Sequence, residues 1–269
     1  MIIARQLVQQ GIDAQTEDDW VVAEERFRSA IKYSPKDHTA RVHYAECLWR
    51  RGAADDATLE LARAIDLSGG TDVDSIARLG QMLKQTGNSA SAAKLAQRGL
   101  NVDPTNPYAW KLHAELLHES NKLDESLAAY HRALAYAPDD ADVRTATAQI
   151  YLEANRANRT VAVLERLFRD QGPTAATTEQ LHLHGLALAK LQRHDDAIAS
   201  FQLARQSTDA PSSELYADLA QSQIAVNRLT DAWRSIDDGI RIANSADRGR
   251  LEELQRIVVA AQRRDRSRR

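Results

Sequence analysis

The residues that could do chemistry are few and scattered. Ser91 and Lys94, in the stretch SAAK, have the serine–lysine spacing of some acyl-transfer enzymes, but no companion motif accompanies them, and chance spacing at the start of a helix is the alternative. His182 and His184 stand two apart, and on a helix such residues diverge by about 200°, so they cannot share a metal. At His113 and His184, core or hydrogen-bonded histidines are expected rather than ligands. Cys47, the one cysteine, cannot form an internal disulfide and reads as a buried structural thiol. No phosphate loop, zinc spacing or nucleophile elbow is present. The sequence therefore predicts no enzyme, no cofactor and no metal site.

Composition narrows the class. The chain has 269 residues, 43% hydrophobic and 27% charged, with only 5% aromatics, and its Ala, Leu, Glu, Gln and Arg favour helices over a β-sandwich. A formal charge of -3 gives no whole-protein field for nucleic acid or anionic membrane. Its longest apolar runs, such as IVVAA at 257–261, fall far short of the roughly 20 residues of a membrane span. The opening MIIARQLVQQG lacks the basic region and long apolar core of a signal peptide. A cytoplasmic location is the default expectation, with the periplasm or cell envelope the alternative if an upstream signal was removed.

What organises the chain is a repeat. Small residues recur at Gly11, Ala45, Gly80, Ala114, Ala148, Gly185 and Ala220, in steps of 34, 35, 34, 34, 37 and 35. Twelve positions after each stands a second small residue: Ala23, Ala57, Ala92, Ser126, Thr160, Ala197 and Ala232. Four further on a larger residue follows in most units, Phe27, Leu61, Tyr130, Leu164, Phe201 and Ile236, with Ala96 the exception. Within each half-unit the apolar residues fall at intervals of three and four, as in Trp110, Ala114 and Leu117, so each unit predicts a helical hairpin. No hairpin can bury its apolar stripe alone, so neighbours must stack.

Trp110, Ala114, Leu117, Tyr130, Ala133 and Pro138 resemble the tetratricopeptide repeat: aromatic at repeat position 4, small at 8, large at 11 and 24, alanine at 27 and proline at 32. The resemblance implies an all-α, right-handed α-solenoid of about seven hairpins, with repeats near 4–37, 38–72, 73–106, 107–140, 141–177, 178–212 and 213–246. The second and fifth depart from the pattern, with Arg41 and Arg144 replacing the aromatic and Gly69 or Gly172 standing where proline is usual. The longer step through 169–178 reads as a seam where the superhelix bends. Residues 247–262 place Leu251, Leu254, Ile257, Val258 and Ala261 on one face, as a capping helix should. The tail 263–269 carries Arg263, Arg264, Arg266, Arg268 and Arg269 and reads either as a disordered solvated end or as a contact for phosphate or an acidic partner.

In the family, first helices line a groove through repeat positions 2, 5, 9, 12 and 13. Mapped here, the resemblance implies a protein-binding groove at Arg5, Val8, Ile12, Val42, Glu46, Trp49, Arg50, Gln81, Lys84, Tyr108, Lys111, Glu115, His118, Gln149 and His182. Trp49 reads either as a large anchor for a partner or as packing, whereas Trp233, next to Ala232, is expected on a buried helix face. The family's carboxylate clamp for the acidic tails of heat-shock chaperones would occupy Val8, Ile12, His43, Asp74 and Arg78; only Arg78 fits, so those tails are not expected as partners. The expected function is a non-catalytic scaffold or assembly adaptor that holds a protein or peptide of unknown identity. One alternative is a regulatory or targeting array acting with a separate catalytic partner such as a glycosyltransferase. A nucleic-acid-binding array is disfavoured by the acids interspersed on the groove.

Overall fold

The computed structural model describes residues 2–172 and 175–267, and among these residues the secondary structure is entirely helical. The chain divides into two compact units, Met1–Asp140 and Ala141–Arg269. In the first unit, α1 (Ile2–Thr16) and α2 (Trp20–Tyr33), α3 (His38–Arg50) and α4 (Ala54–Leu67), α5 (Val73–Gln85) and α6 (Ser89–Val102), and α7 (Pro107–Glu119) and α8 (Leu123–Tyr136) pack as four successive hairpins. The second holds three more: α9 (Ala141–Glu153) with α10 (Ala157–Gln171), α11 (Thr178–Lys190) with α12 (His194–Gln206), and α13 (Ser213–Ala225) with α14 (Leu229–Ile242). The terminal helix α15 (Ser245–Ser267) packs on α13 and α14.

The spacing of small residues is the spacing of helix crossings. All seven second small residues, from Ala23 to Ala232, are 0% exposed. Where that residue carries a hydroxyl, the crossing is also bonded: Ser126 Oγ donates to the Ala114 carbonyl at 2.7 Å and Thr160 Oγ1 to the Ala148 carbonyl at 3.0 Å. At these crossings Cβ-sized side chains let the backbones approach, and Phe27, Leu61, Tyr130, Leu164, Phe201 and Ile236 fill the space beside them. The hairpin turns keep the same period. Asp18, Gly52, Gly87, Asn121, Asn155, Gln192 and Asn227 each take a positive φ between the two helices of a hairpin.

The departures at the second and fifth repeats have physical substitutes. Gly69, Gly70 and Gly172 have φ of 69°, 75° and 90°, so α4 and α10 stop at left-handed glycines where the first, third and fourth repeats have Pro35, Pro104 and Pro138. Arg41, in the aromatic slot, pairs with Glu60 of α4 at 2.5 Å, and Arg144 pairs with Asp170 of α10 at 2.6 Å.

The segment 169–178 lies inside the second compact unit, where α10 packs on α11; its Pro173 and Thr174 lie outside the described residues. Two expectations need correcting. Helix α15 begins before 247 and continues to Ser267, because no proline or glycine interrupts 250–267; helical backbone thus runs five residues into the segment expected to be disordered. Trp233 is 38% exposed rather than buried, since Ala232 and Ile236 take the inward positions of α14.

Candidate binding grooves

The face built from the first helices of the hairpins is crossed by polar contacts one repeat apart. In the first unit Arg78 Nη1 of α5 meets Glu46 of α3 at 3.2 Å, Lys84 Nζ of α5 meets Glu115 of α7 at 2.5 Å, and Asn106 Nδ2 donates to Asp74 at 2.7 Å. Asn106 is placed by its own role as N-cap of α7, where its side chain accepts from the Ala109 amide and Pro107 opens the helix. Lys84 is also 3.6 Å from Glu119, and Lys111 is 4.0 Å from Asp140.

Two cavities lie on this face. One of about 270 Å3, between α5 and α7, is lined by Asp74, Ala77, Arg78, Gln81, Tyr108, Lys111 and Leu112. Tyr108 is 56% exposed there. The other, about 220 Å3 between α3 and α5, shares Asp74 and Arg78 and adds Val42 and His43. Gln81, Tyr108 and Lys111 therefore converge on one cavity and Val42 on its neighbour, with Glu46 bonded to the Arg78 they share.

The remaining expected groove residues are placed differently. Val8 and Ile12 pack against the buried cluster of Ala14, Ala23, Phe27 and Cys47. Trp49 is half-buried and Arg5 exposed. Arg50 turns toward α2, its guanidinium 3.8 Å from the Trp20 ring centroid, in a separate cleft of about 950 Å3 with Arg51, Glu24 and Lys32. Glu115 and His118 are half-buried, and Glu115 is committed to Lys84.

In the second unit Gln149 is exposed and bonded to Glu153 at 3.0 Å, four residues along its own helix. His182 Nε2 lies 2.7 Å from Asp218 of α13, and Asp218 also accepts from Arg250 of α15 at 2.5 Å. The capping helix thus contributes a charge to the first-helix face, and Asp218 and Arg250 were not legible as groove residues; their only sequence signal is a separation close to one repeat. His184 points elsewhere, with Nδ1 2.9 Å from Ser200 Oγ and its ring edge-on to Phe168, so the two histidines have separate partners. Burial pushes His43, His113 and His184 below the ordinary histidine value.

The other reactive residues are held structurally. Cys47 is 2% exposed, and burial pushes its thiol up to about 11, away from the thiolate form. Ser91 lies in the first turn of α6, its amide bonded to the Asn88 cap, with Lys94 exposed to solvent. Among the described residues no cluster of three His, Cys, Asp or Glu side chains could hold a metal ion, and no helix is long and apolar enough to cross a membrane.

Residues 8–70 and 117–176 match family models for the tetratricopeptide repeat. Similar solved structures include a tetratricopeptide repeat protein from Parabacteroides merdae, with TM-score 0.62 and 14% identity over 96% of this chain and 100% of that one. The pilF structure of Pseudomonas aeruginosa gives TM-score 0.70 and 14% identity over 82% and 99% of the two chains. PilW, described as a widely conserved type IV pilus biogenesis factor, gives 0.68 and 15% over 81% and 97%. No curated protein matches the chain. At these identities the likeness to the solved structures is one of fold.

Proposed function

The chain is a tetratricopeptide repeat protein, and from that premise we propose that it is a non-catalytic scaffold or assembly adaptor that seats a peptide or helix of a partner protein on the first-helix face of its first unit. The observation that carries this reading is the cavity between α5 and α7, where the exposed Tyr108 ring stands beside Arg78, Gln81 and Lys111. A half-exposed aromatic at a concave site flanked by a guanidinium is the kind of side chain that anchors an interface. Arg78 and Lys111 have carboxylates nearby in Glu46 and Asp140, so this cavity favours an apolar or aromatic anchor over a bare anion. PilW, which has a similar fold, is described as a type IV pilus biogenesis factor, and a part in biogenesis suits an adaptor.

The test is affinity capture from the native cell with mass spectrometry, using the wild type and Tyr108→Ala in parallel. A partner retained by the wild type and weakened at least about tenfold by the variant supports the groove, since truncating an anchor commonly costs about 2 kcal/mol or more. A partner held equally by both proteins places the interface elsewhere.

A further inference from the structure

A further cavity, of about 410 Å3, lies between the α9–α10 turn and the end of α11. Its lining is Asn155, Arg156, Ala157, Asn158, Arg159, Lys190 and Leu191, which amounts to three cations, two amides and no carboxylate. The cations come from separate places: Arg156 from the turn, Arg159 from α10 and Lys190 from the last residue of α11.

Two of them are positioned by neutral groups. Lys190 Nζ donates to the Leu152 carbonyl at 3.1 Å. Arg159 lies 5.5 Å from the centroid of the Tyr151 ring, its Nη1 3.4 Å from the hydroxyl. These contacts orient the side chains without cancelling their charge, and cations gathered around one cavity raise its affinity for an anion. The corresponding positions of other hairpins carry Asp55 and Asp56, Asp124 and Glu125, or Asp195 and Asp196, which would repel an anion where Asn158 and Arg159 do not.

Lys190 also lines a neighbouring cavity of about 430 Å3, in which the half-buried Leu186 and Ala189 of α11 stand on one side and Asp218, Gln221 and Arg250 on the other, so the basic site opens beside two apolar side chains of the first-helix face. None of the lining residues occupies a slot of the chaperone-tail clamp.

We propose that this basic cavity binds a side-chain carboxylate of an acidic partner segment, with Lys190 and Arg159 as the ion-pairing groups and the Asn158 amide as a further donor, and with the partner's next apolar side chain seated against Leu186 and Ala189. The protein-binding reading supplies the partner; the anion site stands on its own geometry.

The full chain, labelled with nitrogen-15, is titrated at low salt with acetyl-aspartyl-aspartyl amide and, separately, with inorganic phosphate, following the amide signals of Asn155, Asn158 and Lys190. Saturable shifts confined to this cavity in the dipeptide titration are expected. In the double variant Lys190→Gln, Arg159→Gln, shown by its melting curve to be folded, the dissociation constant should rise at least about tenfold. Shifts that never saturate, that spread over every exposed lysine and arginine, or that persist in the double variant overturn the site. Saturation by phosphate alone overturns the carboxylate assignment. Because the probes are small, failure here leaves the Tyr108 cavity standing, and failure of the capture experiment leaves this titration unaffected.

Discussion

Lys84 and Glu115 stand one repeat apart on facing first helices, their charges 2.5 Å apart and their side chains only 16% and 15% exposed. A pair this sheltered costs desolvation when made, and stability when only one half is removed. Lys84→Met should therefore destabilise the chain by about 1 to 3 kcal/mol, and adding Glu115→Leu should recover most of the loss. Urea melts of the two single variants and the double decide it; additive losses would show that the pair is not coupled.

The crossings of the third and sixth hairpins should respond differently to alanine. A Cβ on Gly185 would lie 2.4 Å from the Phe201 ring, which cannot yield without moving its helix contacts, whereas a Cβ on Gly80 would overlap the Leu112 Cδ2 methyl, at 2.3 Å, and meet Leu95 Cβ and the Ala92 carbonyl at ordinary contact distances of 3.5 and 3.6 Å. Gly185→Ala should cost about 1 to 3 kcal/mol, and Gly80→Ala less, because the leucine tip can rotate; Gly80→Leu should cost as much as Gly185→Ala or more. Equal melts for Gly80→Leu and wild type would refute the assigned register.

Helix α15 should divide in its importance along its length. Its buried residues are Leu251, Leu254 and Val258, packed with Ala217, Ala220, Leu229 and Ile236. Deleting 263–269 should leave the melting temperature unchanged within a degree or two, while deleting from 247 onward should expose that cluster, remove Arg250 from Asp218 and produce aggregation. A large loss from the short deletion would show that the arginine end packs.

Mild acid should weaken the fold through its buried histidines. His43, His113 and His184 all have lowered values in the fold, chiefly through burial, with Glu165 opposing the effect at His184. The unfolded chain takes up these protons near the ordinary value of about 6.5 and the fold resists them, so stability is full above that pH and falls as pH drops below it. Urea midpoints from pH 8 to pH 5 should decline through this window. A midpoint that rises on acidification would mean that the histidines gain anionic partners instead.

The repeat was open to sequence reading because its cause is local and periodic. Only a small side chain lets two helices cross, so the seven crossings print themselves at Gly11 to Ala220 and Ala23 to Ala232, and helix onsets at His38, Val73, Pro107, Ala141, Thr178 and Ser213 follow from them. The same argument fails at Trp233, where neighbouring positions on one helix face differ by 100° and only packing against α13 and α15 selects Ala232 and Ile236 for the interior. It fails again at the binding face. Sequence position places Arg50 and Arg78 alike on first helices, yet Arg50 stacks on Trp20 while Arg78 reaches Glu46 and the Tyr108 cavity. Long charged side chains choose among partners several ångströms apart, and that choice depends on which charges the stacked helices bring within reach. Asp218 joins His182 to Arg250 for the same reason: residues roughly a repeat apart meet only when hairpins stack, so tertiary structure alone decides which cations of this protein are satisfied within the fold.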